Sequence, residues 1–227
     1  KTKVTVDDVI AEMEKINGKD YTEVSFGALQ DAISKAKADK DQNDPALDQA
    51  NITAMKEAKA ALVSIVDLKA ALNEAAQHKA GTYTVSSYKL LKDAVTNAEP
   101  LKVNGTKEEV ANAAAAIRAA IKGLDKRAVG LDEYRDSIVL KKPEGYTEES
   151  YAAYKNAYDA LMALDSKETT AEMFANAKSA FEAAQAGLVQ KPGSNGTGSS
   201  SNGTVSNGAV ATGDTCLLYT SDAADDR

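Results

Sequence analysis

The chain has 227 residues, a formal net charge of −7 and a single cysteine, Cys216. This mildly acidic charge provides no basic surface for nucleic acid, and one cysteine excludes an internal disulfide. No apolar run is long enough to span a membrane. Because the first residue is Lys1 rather than Met, we expect a processed chain or a fragment of a longer protein.

One six-residue motif occurs three times at an almost constant interval. It consists of Tyr-Thr, two variable residues, Ser and an aromatic residue, and it occupies residues 21–26, 83–88 and 146–151. Its tyrosines lie 62 and 63 residues apart (83 − 21 and 146 − 83). A fixed period of this length indicates a tandem array of structural repeats.

Each copy of the motif is typical of the start of a helix. The threonine can act as the N-cap, its hydroxyl accepting a hydrogen bond from an unpaired first-turn N–H. The tyrosine before it and the aromatic residue four positions after it can form a hydrophobic staple. The tyrosines could instead form a ligand platform, but the structural interpretation accounts for the whole motif. It predicts caps at Thr22, Thr84 and Thr147, and staples that join Tyr21 to Phe26, Tyr83 to Tyr88 and Tyr146 to Tyr151.

The apolar residues around each motif recur at helical spacing, so each repeat is predicted to contain three helices. A helix follows the motif, and a second helix follows Thr106 and Thr170, with a looser counterpart in the first copy after a polar loop. A shorter apolar segment precedes each motif, with Asp67 and Asp132 as candidate caps. The period-two alternation of strands is lacking. The predicted core positions after the motifs are Phe26, Leu29, Ile33 and Ala36, then Tyr88, Leu91, Val95 and Ala98, then Tyr151, Tyr154, Tyr158 and Leu161.

These patterns predict an all-α fold, a tandem array of three three-helix bundles followed by a disordered Gly/Ser/Asn-rich linker. We place the bundles at residues 1–63, 64–125 and 126–190, and the linker at 191–215. The first boundary contains neither Gly nor Pro, which predicts tight coupling, whereas Gly123 and Gly130 allow a bend at the second. Residues 216–227 resemble a translated sequencing adapter, so we interpret them as a cloning scar. Without them, no cysteine remains to ligate zinc or to act as a nucleophile.

The motif, the Thr-led helix and the terminal Gly-Leu pairs at 123–124 and 187–188 together resemble the FIVAR module ("found in various architectures"). The resemblance covers about residues 1–190, with copies two and three matching along their length. It implies a three-helix, generally non-catalytic module of secreted or wall-attached proteins of Gram-positive bacteria. Such modules accompany glycoside hydrolase and other carbohydrate-active domains, and they also occur in large adhesins. The resemblance implies no catalytic residue.

A few side chains are candidates for a catalytic, metal-binding or partner-binding site. The lone histidine, His78, lies near a predicted helix end and has no marked catalytic partner. Asp39, Asp41 and Asn43 have the spacing of a calcium loop, but Asp44 and Ala50 replace its required Gly and Glu. The tyrosines at 151, 154 and 158 are interpreted as core, with an exposed partner patch as the alternative. We therefore predict no catalytic, cofactor-binding or metal site and no cofactor, and we leave the binding residues unassigned.

The predicted function is a non-catalytic spacer or interaction array of an extracellular or cell-wall-attached bacterial protein, C-terminal to a carbohydrate-active catalytic domain. The alternative is an adhesin-type module that binds a host-matrix or partner protein. A third hypothesis, that this fragment is itself an enzyme, is disfavoured because no catalytic constellation is present. The expected partners are a protein or a cell-wall or host-matrix component, without nucleic acid. We expect contact with a membrane only through a C-terminal anchor beyond residue 215.

Overall fold

The computed structural model describes residues 4–192, and within this range the protein is all-α, as predicted. Extended pairing is limited there to four isolated antiparallel bridges. None of the helices in this range is long and apolar enough to cross a lipid bilayer. The predicted scar, and the predicted linker from residue 193 onward, lie outside the described residues.

Bundle 1 consists of α1 (Val6–Met13), α2 (Glu23–Asp39) and α3 (Pro45–Ala60). A capping box of Thr5 and Asp8 begins α1, and the Asp44 carboxylate accepts first-turn N–H groups of α3, where Pro45 is the first residue. The loop between α2 and α3 turns through Asn43, whose φ of 55° is left-handed. The buried core of this bundle consists of Val6, Val9, Ile10, Met13, Leu29, Ile33, Ala36, Ile52, Met55 and Leu62.

Bundle 2 consists of α4 (Val66–Ala75), α5 (Val85–Ala98), the single turn α6 (Leu101–Asn104) and α7 (Lys107–Lys122). Thr106 and Glu109 form a capping box at the start of α7. The predicted cap at Asp67 is wrong because the N-cap residue of α4 is Ile65, two residues earlier. Asp67 instead pairs with Arg118 of α7 at 2.7 Å, an ion pair that joins two helices of the bundle.

Bundle 3 consists of α8 (Leu131–Asp136), α9 (Glu148–Met162) and α10 (Ala171–Ala186). Helix α8 begins after Gly130, which adopts a left-handed φ of 78°, so the predicted cap at Asp132 is also wrong. Asp132 lies inside the first turn and pairs with Arg135. This core is more aromatic than the others, because Tyr154 and Phe181 are buried in it.

The helical face predicted after each motif faces the core. Leu29, Leu91 and Tyr154, which lie eight residues after their motif tyrosines, are each at most 2% exposed. The third helices also turn apolar residues toward the core, with Val110, Ala114 and Ile117 buried in α7 and Phe181 buried in α10. The same offset from the motif tyrosine is therefore buried in each of the three bundles.

Adjacent bundles contact one another. Helix α2 packs against α6, and the Lys107 ammonium donates to the Ala60 carbonyl at 3.2 Å. The Lys69 ammonium of bundle 2 donates to the Lys19 carbonyl of bundle 1 at 3.1 Å. Between bundles 2 and 3, backbone and side-chain hydrogen bonds connect the start of α5 to the loop before α10.

Candidate functional site

The start of the second long helix and the end of the third meet at the same point in all three bundles. An antiparallel bridge pairs the motif tyrosine with the segment that leaves the third helix. The motif threonine then donates its backbone N–H to a carbonyl of that segment. The N–H···O distances are 2.9 Å from Thr22 to Val63, 2.8 Å from Thr84 to Asp125 and 2.8 Å from Thr147 to Val189.

The motif serine closes this contact with its side chain, a role that the sequence interpretation did not assign. Its hydroxyl oxygen lies 2.8 Å from the threonine hydroxyl and accepts a backbone N–H from the exit segment. We call the motif threonine and serine, with the exit residue they bind, the bundle clasp. The N–H···Oγ distance is 3.1 Å in each copy, from Val63 to Ser25, from Asp125 to Ser87 and from Val189 to Ser150.

All three motif threonines occupy the predicted N-cap positions, and two of them cap the helix with their side chains. The hydroxyls of Thr22 and Thr84 accept the backbone N–H of the serine three residues later, both at 3.4 Å. Thr147 is likewise the N-cap residue of α9, but its hydroxyl bonds the Ser150 hydroxyl and no first-turn N–H, so the side-chain part of this cap is missing. The clasp therefore does more than cap a helix, since it is complete even where the cap is missing.

The aromatic residue of each motif packs back onto the loop before the motif. The Tyr88 hydroxyl donates to the His78 carbonyl at 3.4 Å, and the Tyr151 hydroxyl donates to the Lys141 carbonyl at 2.9 Å. The Phe26 ring covers Gly18, where a Cβ would lie 2.3 Å from the ring. In the described residues, the ring pairs that involve motif aromatics join Tyr83 to His78 and Tyr151 to Tyr154, and the predicted staple contacts stay a prediction.

His78 lies just beyond α4 and contacts the second motif. Its Nδ1 is 2.8 Å from the Tyr83 hydroxyl, and the two ring centroids are 5.6 Å apart. This geometry positions the motif tyrosine. It brings no nucleophile and no carboxylate to the imidazole, so the contact is a structural one.

The loop with calcium-like spacing is held by its own side chains. Asp39 ends α2 and accepts hydrogen bonds from the Lys35 ammonium at 2.5 Å and the buried Asn51 amide at 3.1 Å. These bonds, from Lys35 first and Asn51 second, lower the pKa of Asp39. In the described part of the chain, no group of three His, Cys, Asp or Glu side chains is arranged to hold a metal ion.

The adjacent acidic pairs lie in first turns, where their charge favours the helix dipole. Asp8 accepts the Thr5 backbone N–H at 3.0 Å, and Glu109 accepts the Thr106 backbone N–H at 2.8 Å. These bonds are the main reason that the pKa of each carboxyl lies below its ordinary value. Neither carboxyl is arranged as a catalytic acid or base.

The tyrosine stripe of α9 is core at its centre, as predicted. Tyr154 has no exposed surface; its ring contacts Phe181 at a centroid distance of 5.5 Å and Tyr151 at 6.0 Å. Its hydroxyl oxygen accepts the Lys141 backbone N–H at 3.3 Å. Tyr151 and Tyr158 are half-buried around it. The stripe therefore stabilises bundle 3.

A surface depression of about 450 Å³ lies at the junction of bundles 2 and 3. Two basic and two acidic side chains line it, so its charge does not select an anion or a cation. Gly81 and Gly130 also line it, and none of its lining residues has an aromatic ring that could stack on a sugar. The charged residues that line the depression are Lys126, Arg127, Asp132 and Glu133.

No family model and no solved structure matches this chain, so the resemblance to FIVAR modules stays a prediction. Over 165 residues the chain is 28% identical to the Polysaccharide lyase 8 family protein HylA of Enterococcus faecalis. The match covers 67% of this chain but only 12% of that protein. The chain thus corresponds to a small segment of a much longer relative, whose name places that relative among carbohydrate-active proteins.

Proposed function

We propose that this chain is a non-catalytic array of helical bundles that holds a polysaccharide-degrading domain at a distance from its point of attachment. The whole protein would be secreted or attached to a bacterial cell wall, and the array would be accessory to its chemistry. The proposal rests mainly on the similarity to 12% of a polysaccharide lyase family protein.

The hydrogen bonds made by the motif residues support an accessory role. Hydroxyls that could have served a ligand or a reaction are used in the bundle clasps, and His78 is used to position Tyr83. The buried positions nearby are apolar, apart from polar side chains that are hydrogen-bonded within the described residues. These side chains thus serve to hold three bundles in shape, which is what a spacer requires.

A graft experiment tests the proposal. The matching segment of the Enterococcus faecalis relative is deleted, or replaced by residues 4–192 of this chain, and each protein is displayed on cells. We expect cleavage of a soluble polysaccharide to be unaffected by either change. Cleavage of an immobilised polysaccharide should fall on deletion and return with the graft, because reach is what the array supplies.

Three results would count against the proposal. Turnover of a polysaccharide by residues 4–192 alone would make the array catalytic. Specific capture of a matrix protein by these residues, with no effect of the graft on reach, would favour the adhesin alternative. A graft in which soluble and immobilised substrates respond equally would also contradict a spacer.

A further inference from the structure

The start of α5 is bound by a carboxylate from the neighbouring bundle. The Ser86 backbone N–H lies 3.1 and 3.2 Å from the two carboxylate oxygens of Glu168, and the Ser86 hydroxyl donates to the same carboxylate at 2.6 Å. These residues are 82 positions apart in the chain. Glu168 thus provides bundle 2 with a helix cap from bundle 3, where negative charge is favoured by the helix dipole.

Backbone bonds on either side reinforce this contact. The Val85 N–H donates to the Lys167 carbonyl at 3.1 Å, and the Ala128 N–H donates to the Thr169 carbonyl at 2.8 Å. An antiparallel bridge pairs Arg127 with Thr170 next to them. The junction therefore satisfies two first-turn N–H groups of α5 that would otherwise need water.

The loop that presents Glu168 is itself fixed. Asp165 accepts the Lys167 N–H with its side chain at 2.8 Å and the Thr169 N–H with its carbonyl at 2.8 Å. The Thr169 hydroxyl donates to the same carbonyl at 2.6 Å, and Thr169 is 1% exposed. A carboxylate held on a rigid loop loses little conformational freedom when it binds the neighbouring helix.

The charges of the three motifs fit this arrangement. Helices α2 and α9 each have acidic residues in the first turn, at Glu23 and at Glu148 and Glu149, whereas α5 has none. Ser86 occupies the position that Glu149 has in the third motif, two residues after the motif threonine. A glutamate at 86 would face Glu168 with a like charge. The one long helix among these three without its own first-turn acid is the one that receives an acid from its neighbour.

We propose that Glu168 and the first turn of α5 form a coupling device that makes bundles 2 and 3 open and unfold as one cooperative unit. Bundle 3 cannot separate without uncapping α5, and α5 cannot fray without losing its bonds to bundle 3. The device holds the relative orientation of two repeats at a boundary where Gly130 alone would permit bending. It does not depend on the proposed spacer function.

Two substitutions test the coupling in the full chain. Ser86→Glu places the third-motif residue in the second motif, so α5 keeps a favourable first turn but repels Glu168. Glu168→Gln removes the charge and keeps the size. The matched control is Glu144→Gln, an exposed acid of bundle 3 that lies away from the junction.

Amide hydrogen exchange measures the result residue by residue. We expect Ser86→Glu to accelerate exchange of the Val85 and Ala128 amides about tenfold or more, and to separate the exchange of bundle 3 from that of bundle 2. Glu168→Gln should give a smaller acceleration at the same amides, and Glu144→Gln none. In the double variant Ser86→Glu with Glu168→Gln, the repulsion is absent, so exchange should return toward that of Glu168→Gln.

Each outcome decides the proposal. Junction amides that exchange within about twofold of the parent chain in both single variants would overturn it. So would an equal effect of Glu144→Gln, or a Ser86→Glu defect that Glu168→Gln does not relieve. If Ser86→Glu unfolds bundle 2, seen as lost helical circular dichroism, the Glu168→Gln variant decides the question alone, because it leaves the α5 sequence unchanged.

Discussion

Removing the serine hydroxyl of one clasp should destabilise its bundle well beyond what loss of an exposed serine does. In bundle 1, Ser25 accepts the Val63 N–H at 3.1 Å and bonds the Thr22 hydroxyl at 2.8 Å, and Thr22 is 1% exposed. Ser25→Ala removes both bonds and leaves the Val63 N–H and the Thr22 hydroxyl in a partly buried site without these partners. The third helix then loses its side-chain tie to the second.

The magnitude follows from two opposing terms. A buried donor left without a partner costs about 1–3 kcal/mol. Alanine is a better helix former than serine by about 0.5 kcal/mol, which offsets part of this cost. We therefore expect Ser25→Ala to lower the free energy of unfolding of bundle 1 by about 1–2 kcal/mol. Such a change is a large fraction of the stability of a small domain.

Urea denaturation followed by circular dichroism, together with hydrogen exchange of the Val63 amide, measures the change. A loss of 1.4 kcal/mol corresponds to about tenfold faster exchange by local opening. Ser34→Ala is the matched control, because Ser34 is an exposed serine of the same helix. It should be neutral or slightly stabilising. Equal effects of the two substitutions, or a Val63 amide unchanged by Ser25→Ala, would refute the clasp.

Three further predictions concern other parts of the described chain. Tyr154→Ala should destabilise bundle 3 by about 3–5 kcal/mol and Tyr154→Phe by only about 1 kcal/mol, because the fully buried ring matters more than its one hydrogen bond; thermal unfolding compares the two. Thr84→Ala should cost about 1 kcal/mol more than Thr147→Ala, because only Thr84 caps its helix through its side chain; matched urea titrations test this, and equal costs would contradict it. Hydrogen bonds and ion pairs lower five carboxyl pKa values in the folded chain, so the stability they provide is present above the ordinary carboxyl pKa of about 4 and is lost as pH falls through the lower folded values. A urea midpoint that does not fall between pH 5 and pH 2 would contradict this. The five carboxyls are Asp8, Glu12, Asp39, Asp67 and Glu109.

The period of the motif was sufficient to predict an all-α array, because burial of a repeated stripe depends on spacing along the chain. Leu29, Leu91 and Tyr154 could therefore be assigned to the core from their offsets alone. Helix starts were harder to place. Asp67 and Asp132 looked like caps, but the N-cap residues of α4 and α8 lie two positions earlier, and the two acids pair with arginines instead. A cap depends on the φ and ψ of one residue, which a pattern of side chains does not fix.

The clasp shows a second limit of the sequence. The motif serine repeats three times, so the period indicated that it matters, but its partner lies 38 or 39 residues away on the backbone of the exit segment. Any residue type except proline supplies a backbone N–H, so the partner leaves no mark in the composition. The recurring serine was the available signal in the sequence. Its role could be identified only from the structure, where the segment after the third helix lies against it.

The sequence by itself determined the helical class, the three repeats and the face that each long helix buries, because these follow from local spacing. The tertiary structure decided how the repeats are closed and joined. Glu168 reaches Ser86 across 82 residues, through a contact that no local pattern encodes. This contact matters because α5 has no first-turn acid of its own. The sequence shows that absence, but only the position of the neighbouring bundle gives it a consequence. Contacts of this kind depend on how the chain folds in three dimensions, and so they become visible only in the folded chain.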